Sequence, residues 1–177
     1  LQPEIIPFRA YDAEQVQAIL AERARLGLRR PGGAVVSHIA SLTVRNANSD
    51  IRVAIKTLYL SAVEPQAGVE ANFDRAGRDI VAELIGGLSD KNLLILRAAR
   101  QADPGHVKTV YAQYRALSRQ TGETPYSYAY FYGNLSYLQS LGLILLISTK
   151  VRKTYTNRIQ LLFPAEVLER VWEGRFG

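Results

Sequence analysis

The chain has 177 residues, 47% of them hydrophobic and 21% charged, so it has enough apolar material for a packed core and disorder is excluded as its default state. It contains no cysteine and two histidines, which excludes disulfide scaffolds, thiol nucleophiles and zinc ribbons and leaves His38 and His106 as the sole imidazole ligands. The net charge of +6 is confined to one segment: residues 1–86 hold ten Lys/Arg and ten Asp/Glu, residues 87–163 hold ten against three for a net +7, and residues 164–177 hold two against three.

The longest unbroken apolar run, residues 143–147, is far short of the roughly 20 residues that span a bilayer, and no signal-peptide pattern opens the chain. A folded, soluble, cytoplasmic chain with no membrane role is the expectation. The sequence begins at Leu1 and holds no methionine, so it is expected to be a piece of a longer protein.

Asp12, with Gln15 three residues on, forms a candidate capping box before Val16, Ile19, Leu20 and Leu26, which recur at helical spacing up to Gly27. After the loop Arg29-Arg30-Pro31-Gly32-Gly33, a second helix carries Val35, Val36, Ile39 and Leu42 and ends near Asn46. Ser49 or Asp50 caps a third, which runs to about Val63 before Pro65 and Gly68 break it, and a fourth is expected over 71–84. These four make residues 1–86 a small helical bundle. Gly86-Gly87 reads as a stop signal and hinge, and residues 87–177 as a second domain.

In that second domain, Ser89 or Asp90 caps a helix holding Leu93 to Leu96 and ending near Ala102, and Asp103-Pro104-Gly105 makes a turn. Helices are expected over 107–119 and 126–141, the latter closed by Gly142. Two β-prone runs, 143–149 and 157–163, with residues 150–156 between them, read as a hairpin with a basic tip, and Pro164 opens a last helix with Val167, Leu168, Val171 and Trp172. Three helices followed by two strands is the order of a winged-helix domain. The fold class is therefore mostly α: a helical bundle, then a winged helix with a β-hairpin wing and a C-terminal helix.

The third helix of that domain is the candidate DNA reader. At 100° per residue it packs Tyr128, Phe131, Leu135, Leu138 and Gly142 on one face. The other face presents Tyr126, Tyr130, Gly133, Tyr137 and Ser140, flanked by Ser127 and Asn134. That face has hydroxyls, an amide and a glycine, with no acid to repel phosphate; Gly133 admits close approach and Asn134 suits an adenine edge. The same tyrosines could instead pack on a neighbouring domain. Lys150, Arg152, Lys153 and Arg158 make the hairpin one-sidedly basic, suited to phosphates or a minor groove, although such cations also protect a bare sheet edge. His38 is read as lacking a carboxylate partner, and both histidines as structural or solvated.

Several segments resemble a known family. Phe8-Arg9-Ala10-Tyr11-Asp12-Ala13-Glu14-Gln15, then Ile19-Leu20 and Arg23, resembles the start of the lid domain in the AAA+ replication initiators of the archaeal and eukaryotic Orc/Cdc group. Ser49-Asp50-Ile51-Arg52-Val53-Ala54-Ile55 resembles that family's Gly-Asp-x-Arg-x-Ala segment, with Ser49 where the family has glycine. Val110-Tyr111, Tyr114, Leu135, Leu138, Leu141-Gly142-Leu143-Ile144 and Arg152-Lys153-Thr154 resemble its C-terminal winged helix, here without glycine in the wing.

The resemblance, to the archaeal type, implies an AAA+ lid followed by a winged helix that recognises double-stranded DNA at replication origins. It makes Arg52 the sensor-two arginine on the terminal phosphate of a nucleotide, adds Thr154 to the wing contacts, and implies ATP or ADP with Mg in a longer protein. This chain has no Walker sequence and is not expected to be an enzyme by itself. A replicative helicase and other initiator subunits are the implied protein partners, and nucleoid association the implied location. Two rival readings are a dimeric winged-helix transcription regulator and a winged-helix protein-interaction module for a replicative helicase.

Overall fold

The computed structural model describes residues 9–28, 32–151 and 154–177. These form eight α-helices, one 3-10 turn and one two-stranded antiparallel sheet, divided into two compact units, Leu1–Ile80 and Val81–Gly177. The helical bundle and the winged helix with its β-hairpin wing are both present. Pro7, Phe8, Arg29, Arg30 and Pro31 lie outside the described residues.

The first unit contains α1 (Ala13–Gly27), α2 (Gly33–Asn46), α3 (Ile51–Val63), the 3-10 turn Pro65–Ala67 and the start of α4 (Val69–Gly86). The capping box forms: Asp12 accepts from the Gln15 N–H at 2.8 Å and Gln15 Oε1 accepts from the Asp12 N–H at 3.1 Å, satisfying two donors that a helix start leaves open. Val16, Leu20, Ala24, Val36, Ile39, Ala40, Ala54 and Leu58 interlock as the core. The buried Thr43 and Thr57 hydroxyls bond back to the carbonyls of Ile39 and Val53, at 2.8 and 2.7 Å, so neither is left unsatisfied.

The turn from α2 to α3 puts Asn48 and Ser49 at positive φ, 47° and 60°. A left-handed β-carbon is strained, which is the physical reason a glycine suits position 49; Ser49 offsets the strain by donating from its hydroxyl to the Tyr11 carbonyl at 2.6 Å. His38, expected to lack a carboxylate partner, has one: its Nε2 lies 3.1 Å from Glu70 Oε1. The two residues are 32 positions apart in the chain, beyond the reach of helical spacing rules.

The second unit contains α5 (Asp90–Gln101), α6 (Val107–Gln120), α7 (Tyr128–Ser140), β1 (Ile144–Val151), β2 (Thr154–Leu161) and α8 (Ala165–Phe176). Leu93, Leu94, Ile95 and Leu96 are all buried, so this stretch of α5 is enclosed on every side and forms the centre of the unit, while Asp90, Arg100 and Gln101 at the helix ends are exposed. Val110, Tyr114, Phe131, Leu135, Leu138, Leu143, Ile159 and Leu168 close around it. Gly122 and Gly142, at φ 75° and 71°, end α6 and α7 in Schellman motifs: Glu123 N–H bonds to the Ser118 carbonyl, and Leu143 N–H to the Leu138 carbonyl. Gly86 and Gly87 have no such left-handed φ; Gly86 is still helical, and Arg175 takes over the capping by donating to the Gly86 and Leu88 carbonyls at 2.5 and 2.7 Å.

A third strand position is present beside the expected pair. His106 bridges Arg158, and Ile159 N–H donates to the Gly105 carbonyl at 2.8 Å, so β2 is held to the loop between α5 and α6. A β-carbon on Gly105 would come within 3.0 Å of the Ile159 carbonyl oxygen, which explains a glycine there on steric grounds.

Two boundary differences bear on the candidate site. The strands reach further toward the tip than 143–149 and 157–163, because Lys150 pairs with Tyr155 and Val151 with Thr154, leaving two residues between them. Val151, Thr154, Tyr155 and Thr156 are β-branched or aromatic and extend the ladder; the basic residues among them had read as loop. Helix α7 begins at Tyr128 with Ser127 as its N-cap, so Tyr126 and Ser127 precede the helix.

Candidate nucleic-acid interface

Helix α7 starts where the Ser127 hydroxyl accepts from the Tyr130 N–H. From Tyr128 to Ser140 it carries no charged side chain. Phe131, Leu135 and Leu138 face inward and are fully buried. Tyr130, Gly133, Asn134 and Tyr137 line the outward face, and with Ser127 and Ala129 they border an open groove of about 510 Å³. Asn134 donates one Nδ2 hydrogen to the Tyr130 carbonyl at 2.8 Å.

Tyr126 is not on this face in the sense expected. It is half-buried beneath it: its N–H donates to the Tyr114 hydroxyl at 3.1 Å, and its carbonyl accepts from the Tyr111 hydroxyl at 2.9 Å. Burial pushes the Tyr114 phenol above its ordinary value, keeping it neutral. The Tyr126 ring in turn meets the Tyr130 ring edge-on at 4.7 Å, and Lys91 lies over it at 5.1 Å from the centroid. Tyr126 supports Tyr130 from below. Tyr128, expected on the packed face, meets Tyr111 edge-on at 5.1 Å yet stays partly exposed.

The wing is tied to the helix by side chains. Asn157 Nδ2 donates to the Tyr132 hydroxyl at 2.7 Å, and Gln139 Oε1 accepts from the Leu146 N–H at 3.0 Å. A second hollow of about 330 Å³ lies between Lys108, Tyr128, Tyr132, Tyr155 and Asn157. Lys108, Tyr132, Tyr155 and Asn157 were missed as site candidates: they come from three separate elements, and only the fold brings them together.

The basic residues do not gather at one point. Lys150 is exposed near the tip and sits over the Tyr155 ring at 5.7 Å from its centroid. Arg158, expected at the tip, pairs with Ile147 in mid-strand beside Gly105; alternation along the strand puts it on the opposite face from Lys150 and Tyr155. Arg152 and Lys153 lie outside the described residues, as does the side chain of Thr154.

In the first unit, Asp50 caps α3 by accepting from the Arg52 N–H at 2.9 Å. The same carboxylate holds the Arg52 guanidinium through Nε at 3.0 Å and Nη2 at 2.7 Å. The Arg52 side chain remains 55% exposed, and its hydrogen bonds hold the Asp50 carboxyl below the usual carboxylate range. Among the described residues there is no cluster of three metal-ligating side chains, and no helix long and apolar enough to cross a membrane.

No family profile and no curated protein matches the sequence. Among solved structures, the chain is similar to that of the Aeropyrum pernix Orc1 protein in complex with DNA, at 22% identity and a TM-score of 0.69, covering 95% of this chain and 48% of that one. This chain has the fold of that part of Orc1. It is also similar to Drosophila ORC bound to DNA, at 19% identity and a TM-score of 0.43 over 93% of this chain and 45% of that one. Cdc6p from Pyrobaculum aerophilum is a further match, at 20% identity and a TM-score of 0.42 over 97% and 51%. The fold assignment rests on the first, and the chain spans about half the length of the structures it matches.

Proposed function

We propose that this chain is the C-terminal portion of a DNA replication initiator, binding double-stranded origin DNA through its winged-helix unit. The observation that carries this reading is a winged helix with an acid-free outward helix and the chain's entire excess of positive charge in residues 87–163. Its fold likeness to a protein solved on DNA supports the reading. In this arrangement α7 enters the major groove and the β1–β2 wing follows phosphates or the adjacent minor groove.

The helical unit takes the part of an AAA+ lid. The longer protein would bind ATP or ADP with Mg, which supplies a change of phosphate charge, and Arg52 would be the residue of this chain to meet it. Its chemistry fits: a planar, permanently charged donor set, more than half exposed and pre-oriented by Asp50. A replicative helicase and further initiator subunits complete the expected partners, with the nucleoid as the working location.

The test is fluorescence anisotropy of the 177-residue chain with a 20-base-pair duplex between 50 and 200 mM salt. About four phosphate contacts predict a fall in affinity of roughly a hundredfold over that range. Binding that does not change with salt overturns the reading.

A further inference from the structure

The outward face of α7 has a chemistry that discriminates between base pairs, and this inference rests on the DNA-binding reading above. Gly133 sits one turn from both Tyr130 and Tyr137, residues that are 62% and 48% exposed. A β-carbon built on Gly133 would meet nothing within 4 Å, so the missing side chain leaves an open floor between two phenol walls. Ala129 adds a methyl to the same groove.

Asn134 lies beside that floor. A carbonyl accepts and cannot donate, so the bond to the Tyr130 carbonyl fixes the NH2 side of the amide against the helix. One N–H and the Oδ1 remain, the donor and acceptor that match adenine N7 and N6. No lysine or arginine on α7 is available for guanine O6 and N7, and no carboxylate for cytosine N4. Of the four bases, thymine alone presents a methyl group in the major groove. The charge that draws DNA to this surface lies off the helix, on Lys108, Lys150 and the wing, which leaves the helix face free for apolar and amide contacts.

We propose that α7 reads an A·T base pair, seating the thymine C5-methyl on the Gly133 floor between Tyr130 and Tyr137 while Asn134 pairs with the adenine. The occupant of the groove is thus the major-groove edge of duplex DNA.

Deoxyuridine isolates the methyl group, because it differs from thymidine by that group alone. Anisotropy of the 177-residue chain is compared on an alternating dA·dT duplex, its deoxyuridine counterpart and a G·C duplex, each at the same low and moderate salt concentrations. The thymidine duplex should bind about fourfold more tightly than the deoxyuridine duplex, the factor that burial of one methyl group supplies. Gly133→Ala fills the floor and should abolish that difference; the substitution favours helix and meets open space, so circular dichroism should be unchanged. Asn134→Ala should reduce the preference for A·T over G·C. Equal binding of thymidine and deoxyuridine duplexes, with salt-dependent binding intact, overturns the A·T assignment and leaves the DNA reading standing. Salt-insensitive or absent binding to all three overturns both.

Discussion

Asn157 on β2 donates to the Tyr132 hydroxyl on α7 at 2.7 Å, a bond between residues 25 positions apart that joins the wing to the helix beside it. Both elements are proposed to touch the same DNA, so the bond sets the spacing between a major-groove and a wing contact before DNA arrives. Pre-ordered contacts bind more tightly because less freedom is lost on association.

Tyr132→Phe removes one hydroxyl and keeps the ring. The bond is exposed, so the stability cost should be small, about 0.5–1.5 kcal/mol, while hydrogen exchange in β1 and β2 should accelerate and duplex affinity should fall several-fold. Unchanged exchange in the wing would show that the bond does not hold it.

The sequence carried the element order because each helix has its own local punctuation: the Asp12–Gln15 box, the Asp50 and Ser89 caps, and Gly122 and Gly142. It did not carry the Gly105–Ile159 pairing, the His38–Glu70 contact or the hollow beside Lys108. Each of those joins residues that no helical or strand period relates. Tyr126 differs for another reason: the helix period was extended two residues ahead of Tyr128, through the Ser127 cap, which turned a supporting residue into an exposed one. At the wing, counting charge without strand pairing placed Arg158 with Lys150, whereas the alternation of the ladder separates them.

Gly105→Ala tests the bridge that anchors β2. The added methyl would crowd a backbone oxygen at 3.0 Å that is fixed by the sheet and cannot rotate away. A loss of about 1–3 kcal/mol is expected, read as a lower urea midpoint for the transition of the winged-helix unit. An unchanged midpoint would mean that the loop relaxes freely.

The Asp50–Arg52 pair makes the first unit sensitive to acid. The folded-state value for Asp50 is depressed, chiefly by its hydrogen bonds to Arg52, so the unfolded chain takes up the proton first as pH falls. The stabilisation is complete above the unfolded-state value of about 4 and is lost as pH drops below it. Asp50→Asn should flatten the pH dependence of the urea midpoint below pH 5. Arg52→Ala should shallow it too, yet leave duplex affinity unchanged, because Arg52 lies outside the basic segment; an equal loss of DNA binding would contradict that separation.

The wing and the helix should fail in different ways. Lys150, with Arg152 and Lys153 two and three residues on in the sequence, is a cation suited to phosphate, so replacing all three by alanine should weaken preferred and random duplexes alike. The slope of log affinity against log salt should become shallower by about one for each phosphate that is no longer neutralised. Asn134 carries no charge and releases no counterion, so Asn134→Ala should leave that slope intact and cost about 1–3 kcal/mol on the preferred sequence alone. The measurement is a salt titration of both variants on both duplexes. A wing variant that binds like the parent chain at every salt concentration removes the wing from the DNA-binding surface, and the phosphate attraction must then come from Lys108, Arg158 and the rest of the basic segment.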